Sequence, residues 1–456
     1  MRATGSSSAS IAPALQAQVK GRVVEPGDAD YDEVRSVFYG GSDRRPTAVV
    51  RAADSADVGS VISVARDSGL ELAVRSGGHS VARHSLVDDG IVLDLRELKG
   101  LEIDVERRTA WAGAGLTAGE YTTAAGAHGL ATGFGDTASV GIGGLTLAGG
   151  IGYLVRKYGL TIDDLLAAEI VTADGAVLQV DEDSHPDLFW AIRGGGGNMG
   201  VATRFKYRLH EVERIVGGML FLPATPEVIV SLVEESTTAP DELSAMVNVM
   251  KAPPMPFIPE EHHGRPLVMV LLAYAGDLDD GDQFVDRLKK VAPPIADMVR
   301  RMTYAEVFPP DQEDFHPVAA NQTMFAESID LAGAQNIIDH LEGSSAFMAV
   351  AHLRALGGAM ARVPAQTTAF AHRDRALLVN VAAIYGAPEQ RKEHEAWVTE
   401  LSSDLAGAPG AYSGFLGEEG ATRIREAYPE PTWGRLLEMK KQYDPDNVFH
   451  LNHNLR

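Results

Sequence analysis

The chain contains no cysteine. Disulfides, thiolate catalysis and sulfur-ligated metals are therefore excluded. Positive charge is scarce as well: 40 Lys and Arg stand against 63 Asp and Glu, a formal charge of −23. The acids are spread along the whole length, which argues against a phosphate-backbone partner and against an anionic membrane surface. No nucleic-acid partner is expected. Sustained hydrophobic runs are missing too. Thr137–Val155 is uncharged and long enough to invite a membrane reading. It carries Gly141, Gly143, Gly144, Gly149, Gly150 and Gly152, however, and little Leu, Ile, Val or Phe density, so no membrane span is expected. Met1–Lys20 is Ser/Ala-rich and lacks a basic start followed by a long apolar block. The expected compartment is accordingly cytoplasmic. At 456 residues the chain exceeds one ordinary core, and two domains are expected.

Glycine, by contrast, is plentiful, and its placement organises the chain. The short apolar run Leu70–Val74 ends in Arg75-Ser-Gly-Gly-His-Ser80. With Glu71–Val74 as a strand, Ser76-Gly77-Gly78 is the tight turn after it. Glycine there tolerates positive φ and lets a flat ligand approach the backbone. Successive N–H groups in such a turn suit a pyrophosphate. Arg75 would add a cation, and His79 a nucleophilic nitrogen. A strand–turn–strand corner with an incidental surface histidine reads the same six residues equally well.

Around this turn the pattern predicts a loose lead-in with a helix near Tyr31–Phe38, and a strand over Pro46–Arg51. A helix follows, capped by Asp54 or Ser55 and stopped by Gly69. Gly90–Leu95 reads as a strand, Leu101–Val105 with Thr109–Ala112 as a hairpin, and Thr117 as the cap of a helix running to about His128. Gly133–Gly152 is too glycine-dense for a helix or an ordinary sheet and reads as backbone wrapped on a ligand. Ala168–Val180 is a second hairpin. Gly195-x-Gly197-x-x-Gly200 satisfies the dinucleotide fingerprint on paper, but a helix precedes it and the strand Val201–Leu209 follows, the reverse of the required order. A Rossmann NAD site is rejected. Beyond Val212 come Pro-rich loops (Lys251–Pro259, Val307–Pro310) and apolar strands: Pro266–Tyr274, Phe347–Leu353, Thr367–His372 and Ala376–Ile384. Helices are expected over Gly281–Lys290, Gly333–Leu341, Glu389–Leu405 and Leu436–Tyr443. Such runs suggest an α+β domain with an antiparallel sheet.

Four stretches together resemble the vanillyl-alcohol-oxidase-type FAD family, in its berberine-bridge-enzyme-like branch. They are Arg75–Ser80; Val140-Gly-Ile-Gly-Gly-Leu-Thr-Leu-Ala-Gly-Gly-Ile-Gly152; Phe189-Trp-Ala-Ile-Arg-Gly-Gly-Gly-Gly-Asn-Met-Gly-Val201; and Tyr443-Asp-Pro-Asp-Asn-Val-Phe-His-Leu-Asn-His-Asn454. The resemblance implies an α+β fold: a PCMH-type two-subdomain FAD-binding domain over residues 42–212 and a substrate-binding domain with an antiparallel sheet over 213–410. Residues 1–41 would lead in, and 411–456 would return to the FAD domain. It implies an FAD-dependent oxidase that passes hydride from a small-molecule alcohol or amine to flavin N5 and electrons to O2, giving H2O2. A dehydrogenase with another acceptor, or a flavin-scaffold binding protein, would carry the same motifs. A homodimer is an open assembly.

The resemblance also assigns residues. His79 matches the histidine bonded covalently to the flavin 8α-methyl. Arg75, Ser76, Gly77, Gly78 and Ser80, and Asp136, Thr137, Val140, Gly141, Gly143, Gly144, Gly149 and Gly150, match its contacts to pyrophosphate and flavin. Gly200 and Val201 match the adenine side, and Asn452 a contact to the isoalloxazine edge. Thr137 stands where many relatives carry a second, cysteinyl attachment, so a single covalent bond is expected. The family's Tyr-x-Asn stands here as Tyr412-Ser-Gly414, which keeps an active-site phenol and loses the amide. Thr146 takes the position expected to line the oxygen pocket. His352, His372 and Arg373 lie on expected strands that could face a substrate cleft.

Overall fold

The computed structural model describes residues 11–308, 316–405, 407 and 409–456. Pro309 and Pro310 of the second Pro-rich loop, and the first ten residues, lie outside these. Among the described residues the strands form four sheets. In the first, Ala48–Arg51 and Leu72–Arg75 flank Ile91–Asp94, all parallel. The Ser55–Ser68 helix makes the crossover between the first two. Asp54 caps it by accepting the Asp57 N–H, and Gly69 closes it at φ 66°, in the left-handed region that favours glycine. The register sets Arg51 and Arg75 beside Asp94 from either side.

The lead-in is not loose over residues 11–41. Arg22–Val24 adds an antiparallel edge strand to this sheet, and Leu15, Val24, Tyr31 and Val34 are buried. Val24, Tyr31 and Val34 pack on one face of the sheet with Val49, Ala73 and Val92, and Leu15 joins the core on the other, which outweighs the low regularity of the segment.

The second sheet has five antiparallel strands, with Val201–Arg208 between Thr109–Gly113 and Leu165–Val171. Both expected hairpins form its margins. The Ala118–Gly126 helix starts on a reciprocal Thr117–Glu120 capping box. Contrary to the sequence reading, a helix does form inside the glycine block, Ile142–Ala148. Its glycines cost helix propensity, about 1 kcal/mol each. Tertiary packing sustains it, with Ile142 and Thr146 buried.

The eight-stranded sheet is antiparallel throughout, built on strands such as Leu243–Lys251, Pro266–Tyr274, Val318–Ala326, Met348–Ala355 and Leu377–Tyr385. Strand alternation gives it two faces. One, carrying Val247, Val249, Ala351, Leu353, Val379 and Val381, packs on the helices Pro226–Thr237, Leu331–Gly343 and Arg391–Leu405. The opposite face turns to the first half of the chain.

Thr367–His372 is not a strand. After Pro364 the chain makes one short 3-10 turn, and the Ala369 N–H then donates to the Arg193 carbonyl, not to a ladder neighbour. Its apolar pattern reflects burial between the two halves.

The C-terminal segment explains its own motif. Lys440 in the Thr432–Tyr443 helix is buried and donates to Asp444 Oδ2 and to the Asn198 and Phe449 carbonyls. Asp444 in turn accepts the Val448 and Phe449 N–H groups. Asn198 Nδ2 reaches the His453 carbonyl, and its Oδ1 accepts the Leu455 N–H. These bonds tie the chain end to the Gly195–Gly200 turn and bring Leu451, Asn452 and His453 onto the glycine-rich loops.

Candidate active site

The glycine turns, the Ile142–Ala148 helix and the returning C-terminus enclose a cavity of about 310 Å³. Gly77 and Gly141 lie back to back: a Cβ on either would come 2.2 Å from the other's backbone nitrogen. Ser76 Oγ donates to the Ala114 carbonyl at 2.7 Å, which fixes the base of the turn. Gly78 has φ 74°, and His79 follows with its ring stacked on Phe38 at 4.2 Å and 18°. The second turn, Gly194–Gly197, docks on the helix end, where the Leu147 carbonyl accepts the Gly194 and Gly196 N–H groups.

Most of the residues expected from sequence meet in this cavity. Ser76, Gly77, Gly78, His79 and Ser80 form one wall; Asp136, Val140, Gly141, Gly143 and Gly144 a second; Gly200, Val201, Tyr412 and Asn452 complete it. Four others do not line it. Arg75 is 1% exposed and its guanidinium turns inward, to Asp94 and the Val34 and Ser36 carbonyls. It braces the sheet and supplies no cation to the cavity. Thr137 donates to Asp136 Oδ1. Gly149, at φ 127°, and Gly150, at φ 77°, pack against Phe370, Tyr412 and Thr161. Thr146 is a further correction: its hydroxyl bonds Tyr207 at 2.7 Å in the core, on the side of the helix away from the cavity.

Tyr412 closes one end. Its phenol oxygen accepts the Gly150 N–H at 3.1 Å. Burial pushes its pKa up to about 12, against the opposing pull of that N–H. It is a phenol at neutral pH, a donor and not a base. Beside it Asp136 forms an ion pair with Arg354, whose guanidinium also donates to the Ile151 carbonyl and sits over the Phe415 ring. Burial works to raise the Asp136 carboxyl, but Arg354, His352 and the Thr137 hydroxyl together outweigh it and the net shift is downward. Asp136 is thus anionic and paired. His84 and His453 meet edge to face at 4.8 Å on the cavity wall. Burial lowers them to about 3 and about 4, so both rings are neutral.

Sequence reasoning missed His84, His453, Asn198, Arg354 and Phe38. Asn198 and His453 lay within quoted motifs, and the buried partners of each were the only clue to their roles. His372 and Arg373 are structural ties: His372 Nε2 bonds the Glu426 carbonyl, and Arg373 forms a two-pronged bond to Asp163. Among the described residues no group of three or more His, Asp or Glu could hold a metal.

Two observations fit a flat nucleotide cofactor. Gly144 and Gly197 line the cavity, yet a Cβ on either meets no protein atom within 4 Å. The protein's own packing does not require glycine there, and the bare backbone leaves that stretch of wall open to close approach by a flat ligand. Asn452 spends its Nδ2 on the Gly197 and Phe449 carbonyls, and its Oδ1 is buried with no partner among the described residues. That oxygen awaits a donor.

A parallel βαβ start, an antiparallel second sheet and a glycine-walled cleft against a large mixed domain make up the architecture that the comparisons with known proteins identify. Residues 46–181 match the FAD binding domain family, and residues 423–456 the family described as berberine and berberine like. The chain is 31% identical to (R)-6-hydroxynicotine oxidase of Paenarthrobacter nicotinovorans, over 96% of this chain and 97% of the relative. The crystal structure of 6-hydroxy-D-nicotine oxidase from Arthrobacter nicotinovorans superposes with a TM-score of 0.85 at 28% identity, covering 96% and 98% of the two chains. Glucooligosaccharide oxidase from Acremonium strictum, described with a 6-S-cysteinyl, 8α-N1-histidyl FAD, has the same fold (TM-score 0.85, 21% identity, 98% and 99% covered). The chain belongs to the berberine-bridge-enzyme-like family of FAD-linked oxidases, and it is an FAD-dependent oxidoreductase.

Substituting Gly141 by alanine drives a methyl into the Gly77 backbone, where nothing flexible can yield. The expected outcome is folded protein that purifies without flavin absorbance, checked by its visible spectrum beside unchanged far-UV circular dichroism.

Proposed function

We propose that the cavity holds FAD bonded covalently through His79, and that the enzyme oxidises a small neutral alcohol or amine, of sugar, alkaloid or secondary-metabolite type, with O2 as electron acceptor. On this reading residues 42–212 and 411–456 carry the cofactor and 213–410 choose the substrate. The observation that carries it is the convergence of His79, the Gly77–Gly141 contact and the unpaired Asn452 Oδ1 on one enclosed space. Bound FAD would supply hydride acceptance from the substrate and reoxidation by O2 to H2O2.

The chain's own residues hold and orient. Gly77–Ser80 with Gly141, Gly143 and Gly144 line the cavity with bare turns and a helix start, whose backbone N–H groups suit a pyrophosphate, while the Val140 and Ile142 N–H groups bond the Thr137 and Leu116 carbonyls. Phe38 supports the His79 ring in its plane. With no cysteine, and with Thr137 turned to Asp136, a second thioether attachment has no donor. Tyr412 keeps its proton and can donate to a substrate oxygen or nitrogen at the far end. The paired charges of Asp136 and Arg354 leave that end without net charge, which favours neutral substrates. The relatives named for 6-hydroxynicotine and for glucooligosaccharides span the amine and sugar alternatives.

Aerobic turnover with 6-hydroxynicotine, glucose oligosaccharides and secondary alcohols, read as peroxide, tests this. Peroxide release with at least one probe is expected; a flavin that no probe bleaches contradicts it. In Tyr412→Phe the flavin stays bound and substrate-dependent bleaching slows about tenfold, the worth of one hydrogen bond. Anaerobic stopped-flow absorbance checks this.

A further inference from the structure

Since Tyr412 keeps its proton, the group that takes the proton of the substrate lies elsewhere. On the face of the eight-stranded sheet turned to the flavin half, Asn248, His352, Asn380 and Thr323 stand opposite one another on four neighbouring strands. This polar row crosses a face that otherwise carries Met250, Val350 and Ala382. Asn248 is fully buried, and its amide nitrogen donates to the Met246 and Met269 carbonyls. Those two bonds set the amide so that Oδ1 faces His352. His352 Nδ1 lies 2.5 Å from that oxygen. An amide oxygen only accepts, so Nδ1 carries the hydrogen and Nε2 keeps its lone pair. Nε2 has no hydrogen-bond partner among the described residues, and His352 is only partly buried. Two residues along the same strand, Arg354 pairs with Asp136, which lines the cavity. The Asp136 carboxylate acts on the His352 ring as well, so the imidazole lies on the sheet face next to a residue of the cavity wall.

We propose that His352 Nε2 is the proton acceptor of the oxidation, held in the required tautomer by Asn248. The inference rests on the oxidase reading above. In the step, the substrate O–H (or N–H) bond breaks and its proton goes to Nε2. The electron pair left behind forms the C=O (or C=N) bond, and the hydride leaving carbon goes to the oxidised flavin. Charge and electrons balance with no further reactant. A strong base is unnecessary, because the O–H proton grows acidic as hydride departs. Burial, with Arg354 adding to it and Asp136 opposing it, lowers the ring to about 4, so it is neutral and able to accept near pH 7. The phenols around the same ion pair, Tyr39, Tyr153 and Tyr412, all have raised pKa values and stay protonated.

The test uses the FAD-loaded enzyme and whichever of the probes above bleaches it fastest. His352→Ala is expected to slow anaerobic bleaching about 100-fold or more, with KM little changed and partial rescue by added imidazole. Asn248→Asp keeps the acceptor but adds a negative charge, so it raises the ring's pKa and moves the acid limb of the rate profile to higher pH. A bleaching rate and pH profile unchanged in His352→Ala would overturn the proposal while leaving the oxidase reading intact. Independently of any substrate, ¹⁵N NMR of the native protein should report the Nδ1–H tautomer at His352, and an Nε2–H tautomer would overturn it. Failure of the native enzyme to bleach with every probe falls on the oxidase reading, and the tautomer then decides the role of His352.

Discussion

Protein carrying His79→Ala is expected to release its flavin into the supernatant on acid precipitation, where attachment through His79 predicts that the native protein keeps its yellow colour in the pellet. The expected change is from essentially complete retention to none. Because the chain has no cysteine, no cysteinyl thioether can hold the cofactor once the imidazole is gone. The imidazole owes its place to the backbone: Gly78 turns at φ 74°, and Phe38, whose N–H donates to the Gly78 carbonyl, stacks on the ring. Alanine adds no clash at this position, and the glycine walls remain. The variant should therefore still bind FAD reversibly before denaturation. Flavin absorbance in pellet and supernatant separates covalent loss from failure to bind. Colour retained in the variant's pellet would place the attachment on another residue.

The largest loss of stability is expected from Asp94→Ala. Asp94 is fully buried, opposite Arg75 in register, and it accepts from Arg75 and Arg96. Removing it strands the Arg75 guanidinium, 1% exposed, with two carbonyls and no counter-charge. Breaking a buried pair on one side costs about 3–5 kcal/mol. Urea unfolding followed by fluorescence measures it. Replacing both partners, Arg75→Met with Asp94→Leu, should recover much of the loss, because no fully buried charge is then left unpaired, and Arg51 and Arg96, which also pair with Asp94, are partly exposed and can turn to water. The pair also carries a pH dependence. Burial works to raise the Asp94 carboxyl, but Arg75 and Arg96 outweigh it and hold it below the usual range. Its stabilisation is present above the unfolded carboxylate value, about 3.9, and is lost as pH falls through the lower folded value. Native protein should thus lose more stability on acidification than the double variant.

Local chemistry was readable in the sequence where a few neighbouring residues decide it. Asp54 and Gly69 bound a helix, Thr117 with Glu120 caps another, and the Gly-Gly-His turn sits where the strand stops. The glycine motifs marked the cavity because close approach to a ligand needs glycine whatever the tertiary context. What stayed hidden depends on partners far along the chain. Arg354 and Asp136 are 218 residues apart, and no spacing rule joins them. Arg75 sits in the right motif, yet the parallel register gives it to Asp94. Thr146 lies on a helix the glycine count argued against, and only the helix's rotation decides that its hydroxyl meets Tyr207 and not the cavity. Alternation placed His352 on a strand without saying which face met the helices. The apolar face settled that, once Ala351 and Leu353 were seen to pack in the second core.

The most direct measurement is the mass of the tryptic peptide Ser76–Arg83 from native holoprotein. Attachment through His79 predicts that this peptide carries the mass of FAD less two hydrogens, with fragmentation placing the addition on the imidazole. An unmodified Ser76–Arg83 peptide from yellow protein, or a flavin found on any other peptide, would contradict it.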